Sequence, residues 1–266
     1  KEMISDFFLA LLLALIQGLT EFLPVSSSAH LLFPSLIFGA KDFGLVFDIS
    51  VHAGTLAAVI YYFKNDLSAL IQAWLPWTKD RSREDFSLGL NLIIASLPIV
   101  VVGLFFSNLT DTRLNDINSI AWANLIFAGL LFIIFKSSSQ TKSLVELTII
   151  SALIIGCFQA LAVFPGASRS GMAISGALLV GLNIKETSKF AFLLSIPTIL
   201  GALILMLAKG AYSIGASDLL ILLTGFIGSA VIAFLTIKVF LQFVEKIGMT
   251  PFVIYRIILG CALLLL

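Results

Sequence analysis

The stretch QGLTEFLPVSSSAHL, Gln17 to Leu31, decides how the chain is read. It joins two apolar runs, 4–20 and 29–38, and the second is short. Within ten residues it places a carboxylate, Glu21, three serines, Ser26, Ser27 and Ser28, and a histidine, His30. A second stretch, FPGASRSG, Phe164 to Gly171, joins runs 146–164 and 171–182 in the same manner. A helix that crosses a bilayer needs about 20 apolar residues. Short pairs broken by Pro, Gly and Ser therefore read as re-entrant hairpins rather than full crossings.

Composition says what surrounds these runs. The chain has 266 residues, of which 59% are hydrophobic and 12% charged, and its mean hydropathy is +1.10. A soluble domain carries about 25% charged residues. The solvent is therefore lipid, and the expected fold is an all-α, polytopic integral membrane protein. The net charge of +1 gives no case for nucleic acid as a partner. Cys157 and Cys261 lie in apolar runs and read as small buried hydrophobes. The first apolar run leads straight into the polar stretch, so it reads as structure rather than a cleaved leader.

The remaining apolar segments fall at 45–63, 88–106, 119–135, 190–208, 217–240 and 252–266. Sliding the chain by 142 positions pairs Gln17 with Gln159, Leu19 with Leu161, Phe22 with Phe164, Ser26 with Ser168 and Ser28 with Ser170. One residue further out, Phe47 meets Phe190 and Thr55 meets Thr198. The expected arrangement is a single membrane domain of two pseudo-repeat halves, 1–143 and 144–266. Each half is a broken hairpin followed by three spans, with about six transmembrane helices in all. Three spans per half start the second half on the opposite face. The repeat is then inverted in topology, and its two hairpin tips meet near the midplane.

On this layout Lys64, Lys79, Arg81, Arg83, Lys136, Lys142, Lys185, Lys189, Lys238 and Lys246 share one face, and Lys1, Lys41, Arg113 and Lys209 the other. Cytoplasmic loops carry the excess of Lys and Arg. The first face is thus cytoplasmic, and both termini and the mouth of the first hairpin face outward.

Arg169 is the sharpest single residue. An arginine within a membrane costs about 2.5–3.5 kcal/mol on insertion scales and needs a partner. It reads either as half of a structural salt bridge or as an anion clamp whose planar fork matches a phosphate. Gly166 and Gly171 permit close backbone approach, and Ser168 and Ser170 are placed to cap the helix that starts there. Glu21 is a partner for Arg169, a ligand for Mg²⁺ or Ca²⁺, or a general base. Gln17, four residues earlier, shares its helix face and adds a carbonyl oxygen. Ser26, Ser27 and Ser28 read as a helix N-cap, as phosphate donors, or as a source of a nucleophile with His30 as its base. Asp48 and His52, at spacing four, either line one cavity or pair with each other. Asn91 and Asn124 are further polar groups in apolar runs, and Arg256 either snorkels outward or pairs inside. The same features describe two function classes. One is an enzyme acting on a phosphate group. The other is an inverted-repeat transporter or flippase for an anion.

QGLTEFLPVSSSAHL and FPGASRSGMAISGALLVG resemble the two signature regions of the bacterial undecaprenyl-diphosphate phosphatases of the bacitracin-resistance type. FDISVHAGTLAAVIYYF, FLLSIPTILGA and TPFVIYRIILG extend the resemblance over nearly the whole chain. Gln17 and Glu21 match the first motif, and Pro24 to His30 follow it, with Ala29 where Gly is usual. Pro165 to Ser170 match the second, with Ala173 where a Thr is usual. The resemblance implies a multi-pass enzyme of the bacterial inner membrane, with a periplasmic active site. The implied reaction converts undecaprenyl diphosphate to undecaprenyl phosphate and inorganic phosphate, recycles the cell-wall lipid carrier and underlies bacitracin resistance. It implies a divalent metal, Mg²⁺ or Ca²⁺, held by Glu21 and Gln17. On that basis Glu21, Ser27, His30 and Arg169 are the expected catalytic residues. Ser26, Gly166, Ser168, Arg169 and Ser170 are the expected phosphate site. Partners are the polyprenyl diphosphate and membrane lipid, with a homodimer left open.

Overall fold

The computed structural model describes residues 2–78, 82–105, 116–208 and 216–265. Lys1, Lys79, Arg81, Arg113 and Lys209, which entered the count of cations, lie outside the described residues. Eleven α-helices carry the described chain: α1 Glu2–Thr20, α2 Ser27–Phe38, α3 Gly44–Tyr62, α4 Lys64–Trp74, α5 Arg83–Phe105, α6 Ile117–Ser137, α7 Ile149–Ala160, α8 Arg169–Leu179, α9 Ile184–Ala208, α10 Ala216–Ile247 and α11 Thr250–Leu264. Five of them, α3, α5, α6, α9 and most of α10, are long and apolar enough to cross a membrane. At about 1.5 Å rise per residue, the 15 residues of α11 make it shorter than a full span. This is an all-α, multi-pass membrane protein.

Its outer surface has the polarity of lipid. Along α10, Leu219, Leu223, Ile227, Val231, Leu235, Val239, Phe243 and Ile247 recur every four residues and are all exposed. Soluble monomers rarely present an apolar stripe of that length to water. Cys157 and Cys261, expected inside, are on the exposed outer surface instead. The reason is the same. In hydrocarbon a thiol gains nothing by burial, so apolarity alone does not place it in the core.

Local chemistry sets the helix ends. Asp116 accepts from Ser119 N (2.9 Å) at the start of α6, and Thr148 Oγ1 accepts from Ser151 N (3.1 Å) at the start of α7. These side chains satisfy backbone donors that a helix leaves unpaired. Helix α4 falls where no apolar segment is expected. Leu67, Leu70, Ile71 and Trp74 form one face of it at helical spacing, among polar residues. Leu70 and Ala73 are buried, Trp74 stacks on Phe86 of α5 (4.6 Å), and Lys189 of α9 bonds Asp66 (2.6 Å). Such a helix is amphipathic, and neighbouring helices cover part of its apolar face.

Tertiary packing crosses the chain's two halves. Helix α1 lies on α10 and α7 on α5; α10 also packs on α3, and α5 on α9. Helices α3 and α9 touch, as do α6 and α11. Where α7 meets α5, Gly156 lets the backbones approach. A Cβ there would lie 2.5 Å from the Ala95 carbonyl oxygen. Small residues at such crossings replace the hydrophobic drive that is missing in lipid. Gly156→Leu is therefore expected to destabilise the fold by about 1–3 kcal/mol, seen as a lower melting temperature in detergent. Gly129→Leu, where nothing lies within 4 Å of an added Cβ, should melt like the parent.

Candidate functional site

Two chain reversals build the site. In the first, α1 ends at Thr20, the Glu21 N–H still bonds the Gln17 carbonyl (3.0 Å), and the chain turns through Pro24 before α2. In the second, α7 passes through a short 3₁₀ turn, Leu161–Val163, then Pro165 and Gly166 before α8. Among the described residues, three non-glycine residues have positive φ: Ser26 (73°), Gln140 (50°) and Ser168 (69°). Two of these three are the residues that immediately precede α2 and α8, and they are the pair aligned by the 142-residue offset. Left-handed backbone outside glycine costs about 1–2 kcal/mol and persists where the surroundings demand it. Ser168 Oγ caps α8 by accepting from Gly171 N (3.1 Å). Ser26, in the same position before α2, makes no such bond; its Oγ sits 3.5 Å from Ser28 Oγ.

The two reversals touch. The Arg169 guanidinium donates to Glu21 Oε1, and Ser170 Oγ donates to the Leu23 carbonyl (2.7 Å). Arg169 also reaches the Ser195 carbonyl on α9 (3.3 Å). The other Glu21 oxygen accepts from Gln17 Nε2 (2.8 Å) and from Ser27 Oγ (2.6 Å), and His52 Nε2 stands 3.8 Å from it. Glu21 thus accepts from Arg169, Gln17 and Ser27, with the His52 ring beside them. Phe22 beside it packs edge to face on Phe192 (5.3 Å), which pins the first reversal into the core.

A cleft of about 540 Å³ opens onto this cluster. Glu21, Ser26, Ser27, Gly166, Ser168 and Arg169 line it; Gln17, His30 and Ser170 stand behind its wall. His30 is turned away from Ser27: Nδ1 meets the Ser26 carbonyl (2.7 Å) and Nε2 the Tyr255 hydroxyl (2.5 Å). Gly166, with φ +93°, is pressed against α6; an added Cβ would lie 2.5 Å from the Ile120 carbonyl. The cleft also reaches Asp48 and His52, which share it, and His52 Nδ1 bonds the Asp48 backbone carbonyl (2.7 Å). Spacing four on one helix face was the signal for these two.

Among the described residues no three of His, Cys, Asp and Glu gather as a protein-only metal site. Gln17 Oε1, buried beside Glu21, has no hydrogen-bond partner. Gln17 turns Nε2 rather than Oε1 toward Glu21, so the carboxylate is the hard-cation ligand that the cleft offers, and the amide oxygen joins it only when the side chain turns over.

A paired carboxylate and guanidinium with serine hydroxyls, at the floor of a cleft in an all-α membrane protein, are an arrangement that can hold an anionic group within a membrane protein. The profile of the family described as "Bacitracin resistance protein BacA" matches residues 10–262. Curated relatives named undecaprenyl-diphosphatase include those of Alcanivorax borkumensis (45% identical, 97% of this chain and 98% of the relative) and Saccharophagus degradans (42%, 97% of each). The relative from Teredinibacter turnerae is 43% identical over 97% of this chain and 98% of its own length. The chain belongs to the BacA family.

The Glu21–Arg169 pair yields a stability prediction. Breaking a buried pair from one side costs about 3–5 kcal/mol. Glu21→Gln and Arg169→Gln should each lower the detergent melting temperature, and the double variant should lower it by clearly less than their sum.

Proposed function

We propose that this protein hydrolyses undecaprenyl diphosphate to undecaprenyl phosphate and inorganic phosphate, and so recycles the cell-wall lipid carrier and confers bacitracin resistance. The observation that carries the reading is Ser27 Oγ donating to Glu21 Oε2 at 2.6 Å, beside Arg169, at the floor of the cleft. A serine becomes a nucleophile when an adjacent base takes its proton. The terminal phosphate of the diphosphate takes the Arg169 fork, with Ser26 and Ser168 supplying further donors. Arg169 then exchanges Glu21 for phosphate, and the carboxylate is left with the Ser27 proton as its nearest partner. Ser27 Oγ bonds to the terminal phosphorus and the bond to the bridging oxygen breaks, which releases the lipid monophosphate. Water then cleaves the phosphoserine and frees inorganic phosphate. A divalent ion held by Glu21 and Gln17 would neutralise phosphate charge as it does in phosphoryl transfer generally.

Two features support an outward-facing site in an inverted repeat. The cleft runs to Lys41 and Asp42 and to Leu104 and Ala208, the ends that the count of cations assigns to the periplasm. The packing of α1 on α10 and of α7 on α5 is the reciprocal pattern expected of interleaved halves. The prenyl tail follows the apolar part of the cleft, between Val100, Gly103 and Leu104 of α5 and Gly201, Ala202 and Leu205 of α9.

The decisive assay is phosphate release by purified protein in detergent, which needs no second compartment. The parent should release phosphate and a chelator should stop it. Ser27→Ala and Arg169→Ala should lose at least about 100-fold in kcat, and full activity in Ser27→Ala removes the serine mechanism. Absence of release, with lipid flipping intact in vesicles, indicates a carrier instead. An added Cβ at Gly201 meets nothing within 4 Å, so Gly201→Leu fills open cleft. It is expected to raise KM for a long-chain prenyl diphosphate about tenfold while sparing a short-chain one.

A further inference from the structure

Arg256 is fully buried, yet no carboxylate among the described residues pairs with it. Its Nε donates to Asn124 Oδ1 of α6 (2.7 Å), and Asn124 Nδ2 returns a bond to the Arg256 carbonyl (2.9 Å). One terminal nitrogen donates to the Gly166 carbonyl (2.8 Å) and the Ala167 carbonyl (3.1 Å). The other has no partner and faces the start of α8, 3.1 Å from where a Gly171 Cβ would be. A guanidinium that is committed to backbone carbonyls and a neutral amide holds a loop rather than a counter-charge. The loop it holds is the second reversal, between Gly166 at φ +93° and Ser168 at φ +69°.

The residue before it holds the other reversal. Tyr255 stacks on the His30 ring (14° between planes, 5.7 Å between centroids), and their Nε2–hydroxyl distance is 2.5 Å. His30 Nδ1 faces a carbonyl, which only accepts, so Nδ1 carries the proton and Nε2 accepts from the Tyr255 hydroxyl. That carbonyl belongs to Ser26, the strained residue of the first reversal. Successive helix residues point about 100° apart. Adjacent residues of α11 therefore reach opposite tips, while Asn124 ties α11 to α6.

We infer that Tyr255 and Arg256 are positioning residues that together hold the two reversals in register, and so set how Glu21 meets Arg169. Neither touches the cleft. Both act from behind it, Tyr255 through His30 and Arg256 through the backbone that carries Arg169. This role rests on the phosphatase reading for its kinetic consequence alone.

The test uses Tyr255→Phe, which removes one oxygen and keeps the ring stack, and Arg256→Lys, whose single ammonium lacks the planar fork that spans Asn124 and two carbonyls. Misplacement of reacting groups by about 1 Å costs on the order of 100-fold. In protein that elutes as the parent does, Arg256→Lys should lower kcat by about that factor, and Tyr255→Phe by about tenfold. KM should change little, because the cleft walls are intact. The double variant should lose clearly less than the product, since both act on one alignment. A readout independent of turnover comes from spin labels at Leu19→Cys and Phe164→Cys, two exposed residues beside the two reversals, with Cys157 and Cys261 replaced by serine. Their separation should broaden in Arg256→Lys. Folded variants with kcat within twofold of the parent overturn the inference, as does lowered kcat with an unchanged label separation. If the parent releases no phosphate, the phosphatase reading fails, and the label separation alone decides the role of the pair.

Discussion

The pairing of Glu21 with Arg169 is the constraint on which the rest of the site depends. Each is a charge inside a protein whose surroundings are lipid, and each is intolerable there alone. They lie 148 residues apart, on two reversals, so the chain must bring both reversals to one place. That demand explains the strained serines. Ser26 and Ser168 take positive φ because the backbone has to reverse and start a new helix at the point of contact. It also explains why the reversals are so thoroughly tied: Ser170 to the Leu23 carbonyl, Phe22 to Phe192, and Gly166 against α6.

The pair is enclosed without being sealed. Core packing covers Glu21 almost completely, while the Arg169 side chain keeps 17% of its surface open to the cleft. An anionic headgroup can therefore compete for the guanidinium without unfolding anything. In the proposed reaction, the interaction that makes the resting fold tolerable is the one that a phosphate would exchange. Arg256 shows the contrasting use of the same side chain. It is wholly enclosed, bound to carbonyl dipoles, and unavailable to any ligand.

Much of this was legible in sequence for a plain physical reason: polar groups in lipid are expensive, so their positions stand out. Glu21, Ser27 and Arg169 were conspicuous against apolar runs, and the structure brings them together. Both chain reversals were visible as short segments broken by Pro and Gly. What sequence missed follows from the same logic. Helix α4 carries its apolar residues on one face among polar ones, so no apolar run marks it. The cysteines gave a false signal, because apolarity does not distinguish core from lipid contact. His30 sits three residues from Ser27, and proximity in sequence suggested a base. The ring direction is set by Tyr255, 225 residues away, which no local pattern encodes.

The sequence by itself determined the solvent, the helical class, the breaks in the two short apolar pairs, and the identity of the charges that needed partners. Those are properties of composition and short-range pattern, where transfer free energy acts residue by residue. Only the tertiary structure decided which partner each charge took. Arg169 meets a carboxylate across the two reversals, Arg256 meets backbone carbonyls behind them, and His30 faces α11 rather than the cleft. Those choices depend on direction and distance between helices. Pairing energies change over a few ångströms, and a linear chain does not record which surfaces will come that close.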